Sequence, residues 1–258
     1  MKKRLVLLPI MIVALLPSFR SGAQTLSLKD QLAGAMELAK QGQTEAASKI
    51  CTDIMTANPA NRDAVQYWLM INMKRSPSGE EEAIGQLDEL EKSHPGNTGI
   101  IFFKAFLQTE YGHLDEALVN SEKLISMQPD TALNWLLKGQ ILEGMNKNDE
   151  ALAALEKSTS LDPESADAWQ IKAGLLAKTN KFDEAIASYD KAVSLVPGQP
   201  VFIYNRGCVY CLKGDYAKAL ADLGKAISMN PQFKSYATKD EDFKSLWDNE
   251  DFKKLTSQ

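Results

Sequence analysis

Pro95, Pro129, Pro163, Pro197 and Pro231 recur every 34 residues along this 258-residue chain, and Pro59 lies 36 residues before the first of them. The alanines Ala47, Ala83, Ala117, Ala151, Ala185 and Ala219 keep the same beat, with the same longer first step. Trp135 and Trp169 are 34 apart as well. A period of this length constrains the fold more than any local signal. It means a stack of similar supersecondary units, each too small to bury its own apolar face and stable only against its neighbours.

Each period reads as two helices. In ADAWQIKAGLLAKTNKFDEAIASYDKAVSLVPGQ (residues 166–199) apolar residues recur at helical spacing as far as Leu176. KTNK then interrupts the pattern and FDEAIASYDKAVSLV resumes it. Asn180 falls where the turn needs a left-handed residue, and Gly42, Gly112, Asn146 and Gly214 occupy the same phase. The prolines end the second helices, because proline lacks an amide proton and disfavours helix in the residue before it. Pro200 suits the first turn of the last array helix, where a missing N–H costs nothing.

This pattern resembles the tetratricopeptide repeat (TPR), with a small residue at place 8 of each copy, Ala at 20, small or apolar at 27 and Pro at 32. Six copies cover residues 28–61, 64–97, 98–131, 132–165, 166–199 and 200–233. Place 8 holds Ala35, Ile71, Ala105, Gly139, Ala173 and Gly207, so the second copy alone departs; Arg62 and Asp63 count as extra residues between copies one and two. The expected fold is all-α, a right-handed α-solenoid of six helix-turn-helix repeats. Places 8 and 20 are where paired helices approach closely, so larger side chains would force them apart. The apolar face of the last copy needs a cover. Residues 234–258 contain EDFKSL and EDFKKL, two short amphipathic stretches with acidic starts. Phe243, Leu246, Trp247, Phe252 and Leu255 are expected to cap copy six; docking of a partner is the alternative use of this tail.

Lys2, Lys3 and Arg4 precede the apolar run Leu5–Leu16, and Ser21-Gly22-Ala23 supplies small residues at −3 and −1. Residues 1–23 therefore read as a cleaved signal peptide, the run being short of the roughly 20 residues a spanning helix needs. Export to a periplasm or cell envelope, or secretion, follows. Cleavage removes four basic residues and no acidic one, so the formal charge of −5 becomes −9. Such a chain repels phosphate backbones, and nucleic acid is not an expected partner. No later segment is long and apolar enough to span a membrane.

Candidates for catalysis are few. His94 and His113 lie in turns without metal spacing, and no glycine-rich phosphate loop, G-x-S-x-G or H-E-x-x-H is present. The carboxylates of the LDEA, NDEA and FDEA segments are explained by helix starts and capping. Cys208 and Cys211 form a C-x-x-C pair followed by Leu212, which excludes haem attachment. A zinc site would need two further ligands, and Cys51 sits at a core place of copy one. Thiol activation at a helix N-terminus is not available, because Cys208 lies about two turns into its helix. The pair reads as part of a repeat, with a local disulfide as a second possibility. No metal, cofactor or enzymatic activity is expected; a thiol-redox or metal-dependent envelope protein using Cys208 and Cys211 is the alternative.

The TPR resemblance implies that places 2, 5, 9, 12 and 13 of the first helices line a concave groove. The candidate groove residues are Trp68, Asn72, Phe102, Phe106, Leu136, Gln140, Gln170 and Tyr204. Chaperone-binding TPRs carry Lys at place 5 and Asn at place 9 of one repeat, and no copy here does. The groove is aromatic and aliphatic in copies two to four, which suits an amphipathic helix or an extended apolar peptide. The expected function is an exported, non-enzymatic adaptor, monomeric or weakly oligomeric, that binds a protein or peptide partner.

Overall fold

The computed structural model describes residues 27–72 and 79–257, and the side chains of residues 80 and 81 are not among those described. Residues 1–23, read from the sequence as a signal peptide, lie outside them. The array runs in helix pairs: α1 (Leu28–Lys40) with α2 (Thr44–Ala57), α3 (Arg62–Asn72) with α4 (Gly79–Ser93), and α5 (Thr98–Glu110) with α6 (Leu114–Met127). It continues through α7 (Ala132–Gly144) and α8 (Asn148–Leu161), α9 (Ala166–Lys178) and α10 (Phe182–Leu195), and α11 (Pro200–Lys213) and α12 (Tyr216–Met229). Then come α13 (Phe233–Ala237), a 3-10 helix (Glu241–Leu246) and α14 (Glu250–Thr256). Over the described residues the fold is an all-α, right-handed solenoid of six helix hairpins with a short helical cap.

The turn residues behave as their chemistry requires. Gly42, Gly112 and Gly214 have φ of 81°, 85° and 90°, and Asn146 and Asn180 have φ of 59° and 62°. Left-handed backbone is open to glycine and tolerated by asparagine. At the close-approach places Ala35, Ala105, Ala173 and all six place-20 alanines are buried. A Cβ on Gly139 would lie 2.8 Å from Leu155 Cγ, so α7 and α8 meet at a separation only glycine allows.

The acidic helix starts work differently from capping. Lys147 and Lys181 precede α8 and α10, and neither they nor His113 before α6 forms a side-chain cap bond. Asp115 and Glu116, Asp149 and Glu150, and Asp183 and Glu184 stand in the first turn instead. There they oppose the positive end of the helix dipole.

Two periodic devices join successive repeats. Lys104, Lys138, Lys172 and Arg206 reach back to Asp88, Glu122, Glu156 and Asp190 of the preceding repeat, at 2.5, 3.0, 3.9 and 2.6 Å. Arg206 adds a bidentate pair to Asp222 at 2.7 Å for both bonds. The Trp135 and Trp169 indole N–H groups donate to the carbonyls of Pro129 and Pro163, at 2.7 and 2.9 Å, tying each first helix to the turn before it.

Copy two is built in another frame from the one its spacing suggests. The other first helices start at residues 28, 98, 132, 166 and 200, and α3 starts at Arg62. Arg62 and Asp63 are therefore helical residues rather than a spacer. The Asn61 side chain accepts from the Ala64 amide at 2.8 Å and fixes this start. The two additional residues of the 36-residue step fall between α3 and α4. Counting from Arg62, Leu69 takes the close-approach place assigned to Ile71 and is buried.

The tail covers copy six. Phe243, Leu246 and Phe252 are buried in one cluster with Ile203, Leu223 and Ile227, and Trp247 and Leu255 pack against it. The Trp247 indole N–H donates to the Ala237 carbonyl at 3.2 Å. Helix α13, which the sequence did not suggest, adds Phe233 and Ala237 to the cover.

Candidate partner-binding groove

Equivalent places of successive first helices form a row along the array. Place nine of copies two to six, counted in the frame of the helices, is Met70, Phe106, Gln140, Gly174 and Cys208. Met70 is 58% exposed, Phe106, Gln140 and Gly174 are half-buried, and Cys208 is buried beneath the cap. The row therefore runs from apolar to polar to small, and it closes at the capped end. Beneath Gly174 lies the Tyr189 hydroxyl, 3.7 Å from where a Cβ would stand. Beside the row, Glu143 of α7 and Lys178 of α9 form an ion pair at 3.7 Å. Burial pushes the Glu143 carboxyl up, and Lys178 opposes the shift.

The structure distributes the groove candidates unevenly. Phe106, Gln140 and Gln170 remain partly accessible. Phe102 and Leu136 are buried in the core. Phe102 meets Phe103 edge to face at 5.5 Å, and the Arg62 guanidinium lies 4.2 Å above its ring. Arg62 also donates to Asn134 Oδ1 at 2.5 Å, and burial lowers its pKa to about 10, leaving it protonated at neutral pH. Tyr204 lies under the cap, stacked on Phe233 at 4.5 Å, with its hydroxyl donating to Asp240 at 2.8 Å.

Trp68 and Asn72 carry the consequence of the α3 frame. Asn72 donates to the Trp68 carbonyl at 2.7 Å and accepts from Ser48 of α2 at 3.0 Å. Trp68 faces α4, across a cleft of about 580 Å³ lined also by Glu82, Gly85, Gln86, Glu89, Leu90 and Ser93. Leu69, buried at the close-approach place, is larger than the alanine or glycine that stands there in the other copies. The groove places of copy two fall instead on Gln66 and Met70. The N-cap Asn61 was the signal in the sequence that would have located them.

Cys51, Cys208 and Cys211 are free thiols, all buried. Burial raises Cys51 and Cys211 to about 11. Cys208 is pushed well above its ordinary value, first by burial and then by Asp240 and Asp242. These are poor nucleophiles, since the thiolate is the reactive form.

Two family models described as tetratricopeptide repeat match the chain, one over residues 112–200 and one over residues 201–233. The chain is a tetratricopeptide repeat protein. Among solved structures, a TPR protein from Parabacteroides merdae ATCC 43184 superposes with a TM-score of 0.58 at 19% identity, over 89% of this chain and 98% of that one. MamA from Desulfovibrio magneticus RS-1 gives 0.57 at 18% identity, over 66% of this chain and 94% of that one. YrrB, described as a TPR protein with an unusual peptide-binding site, gives 0.53 at 20% identity, over 73% and 97%. At these identities the likeness is one of fold. No curated protein sequence matches the chain.

Proposed function

We propose that this TPR protein is a non-enzymatic interaction scaffold, exported to the periplasm or cell envelope, that holds an apolar or amphipathic peptide segment along the first-helix face of copies two to five. The observation that carries the reading is the place-nine row, Met70, Phe106, Gln140 and Gly174. It offers apolar anchorage at one end, amide hydrogen bonding in the middle and room for backbone approach at Gly174. An amphipathic segment matches that gradient. The peptide-binding site named for YrrB supports the same use of the fold. The leader-like residues 1–23 support export, and the capped end favours a monomer or weak oligomer. Among the described residues, no helix is long and apolar enough to cross a membrane. The buried, proton-holding thiols argue against a thiol-redox function.

A photo-crosslinking residue placed at Gln140 tests the groove, with Val119 of α6, 67% exposed, as the control position. Crosslinks to one protein from Gln140 and none to it from Val119 are expected, and Met70→Asp should reduce them. Equal labelling from both positions would refute the groove. Fractionation of the source cells, with mass measurement of the N-terminus, checks export separately.

A further inference from the structure

The cap brings against α11 side chains that the sequence keeps far apart. Cys208 Sγ and one carboxylate oxygen each of Asp240 and Asp242 lie within 4.8 Å of one another. Cys208 is 6% exposed and both aspartates are half-buried. The Cys208 thiol donates to Asp240 Oδ2 at 3.7 Å, and the Tyr204 hydroxyl donates to the same oxygen at 2.8 Å. Asp240 Oδ1 accepts from the Asp242 amide at 3.1 Å. Asp240 is thus oriented through both oxygens, as metal-binding carboxylates are by their surrounding hydrogen bonds.

A second thiol lies one turn along, and Cys211 is 3% exposed. Among the described residues, its thiol has no hydrogen-bond partner.

We propose that Cys208, Asp240 and Asp242 form a binding site for one zinc-class divalent cation that fastens the cap to the last repeat. A thiolate among the donors selects zinc over calcium or magnesium, which take oxygen ligands. Bonds of about 2.3 Å to sulfur and about 2.1 Å to oxygen set ligand atoms roughly 3.5 Å apart, which small side-chain rotations reach from the observed separation. Binding releases the Cys208 proton to solvent and changes no oxidation state. The two carboxylates are the further ligands that the C-x-x-C pair lacks in the sequence; they come from the cap. The site is independent of the groove and stands or falls without it.

The test is titration of the purified, reduced full chain with cobalt(II) and, in parallel, with zinc(II). One cobalt per chain is expected, with thiolate-to-cobalt charge-transfer absorption in the near ultraviolet. Cys208→Ser should abolish that band and Cys211→Ser should keep it. Asp242→Asn should weaken binding by about 10-fold or more. Zinc should raise the thermal midpoint of the wild type and leave that of Cys208→Ser unmoved. Absence of the band, its survival in Cys208→Ser, or zinc binding equal in all variants overturns the proposal. Should Cys208→Ser lose helical circular dichroism, Asp242→Asn decides, and unchanged affinity there is a refutation.

Discussion

Gly139 and Gly174 offer a controlled measurement of the packing that makes this array possible. Both lie inside first helices, at places eight and nine of copies four and five. Replacing either by alanine gains about 0.8–1.0 kcal/mol of helix propensity. Their surroundings differ. A Cβ on Gly174 would meet only the Tyr189 hydroxyl, at an ordinary 3.7 Å. One on Gly139 would stand 2.8 Å from both Leu155 Cγ and Cδ2. Leu155 is fully buried, so it has nowhere to retreat. Overpacking of this kind costs about 1–3 kcal/mol.

Gly174→Ala is therefore expected to stabilise the protein by about 1 kcal/mol. Gly139→Ala should lie about 1–3 kcal/mol below it. Urea unfolding followed by circular dichroism gives the two midpoints, and amide exchange in α7 and α9 shows whether each change stays local. A double-mutant cycle with Leu155→Ala isolates the cause. Leu155→Ala alone costs about 2–5 kcal/mol, and adding Gly139→Ala to it should cost nothing further, because the new methyl group fills the space vacated. If Gly139→Ala stabilises as much as Gly174→Ala, or if the cycle is additive, place eight is not a steric contact and the packing argument fails.

Further outcomes follow from the cap, the α3 frame and the buried thiols. Phe252→Ala should destabilise by about 3–5 kcal/mol and raise amide exchange in α12 before α7, since Phe252 is 2% exposed within the cap cluster. Arg62→Ala removes the donor to Asn134 Oδ1 at a fully buried residue, and a loss of about 1–3 kcal/mol in urea unfolding is expected. Cys51 rises from an ordinary 9.0 to about 11 through burial, so its proton is held more tightly in the folded chain. Its stabilising contribution is complete below pH 9 and is lost as pH rises toward 11, because the unfolded thiol ionises first. Thermal midpoints measured across that interval should fall, and Cys51→Ala should flatten the fall.

What could be read from residue order alone was whatever geometry repeats. The left-handed turns at Gly42, Gly112, Asn146, Asn180 and Gly214, and the buried place-20 alanines, recur because each hairpin solves the same steric problem. The ion pairs from Lys104, Lys138, Lys172 and Arg206 are written at the same period. They become visible only when each is set beside the acid sixteen residues earlier, across the proline turn. Copy two shows the limit of counting. A 36-residue step says that two residues are added and not on which side of α3 they fall, and only the cap bond of Asn61 decides that. Phe102 and Leu136 show another limit, since a place in the repeat gives the side a residue faces and not whether a neighbour already covers it.

The tail sets how much of the first-helix face a partner can use. A seventh repeat would have continued the place-nine row past Cys208. Instead the cap folds back over α11, takes Tyr204 against Phe233 and Asp240, and buries Cys208 at the end of the row. The same contact that ends the apolar stack thus ends the open face, which leaves Met70, Phe106, Gln140 and Gly174 for a partner. It also explains why the C-x-x-C pair resembles chemistry in the sequence without being reactive. The cysteines occupy places nine and twelve of copy six, and the cap encloses them with two carboxylates. That arrangement holds their protons in place.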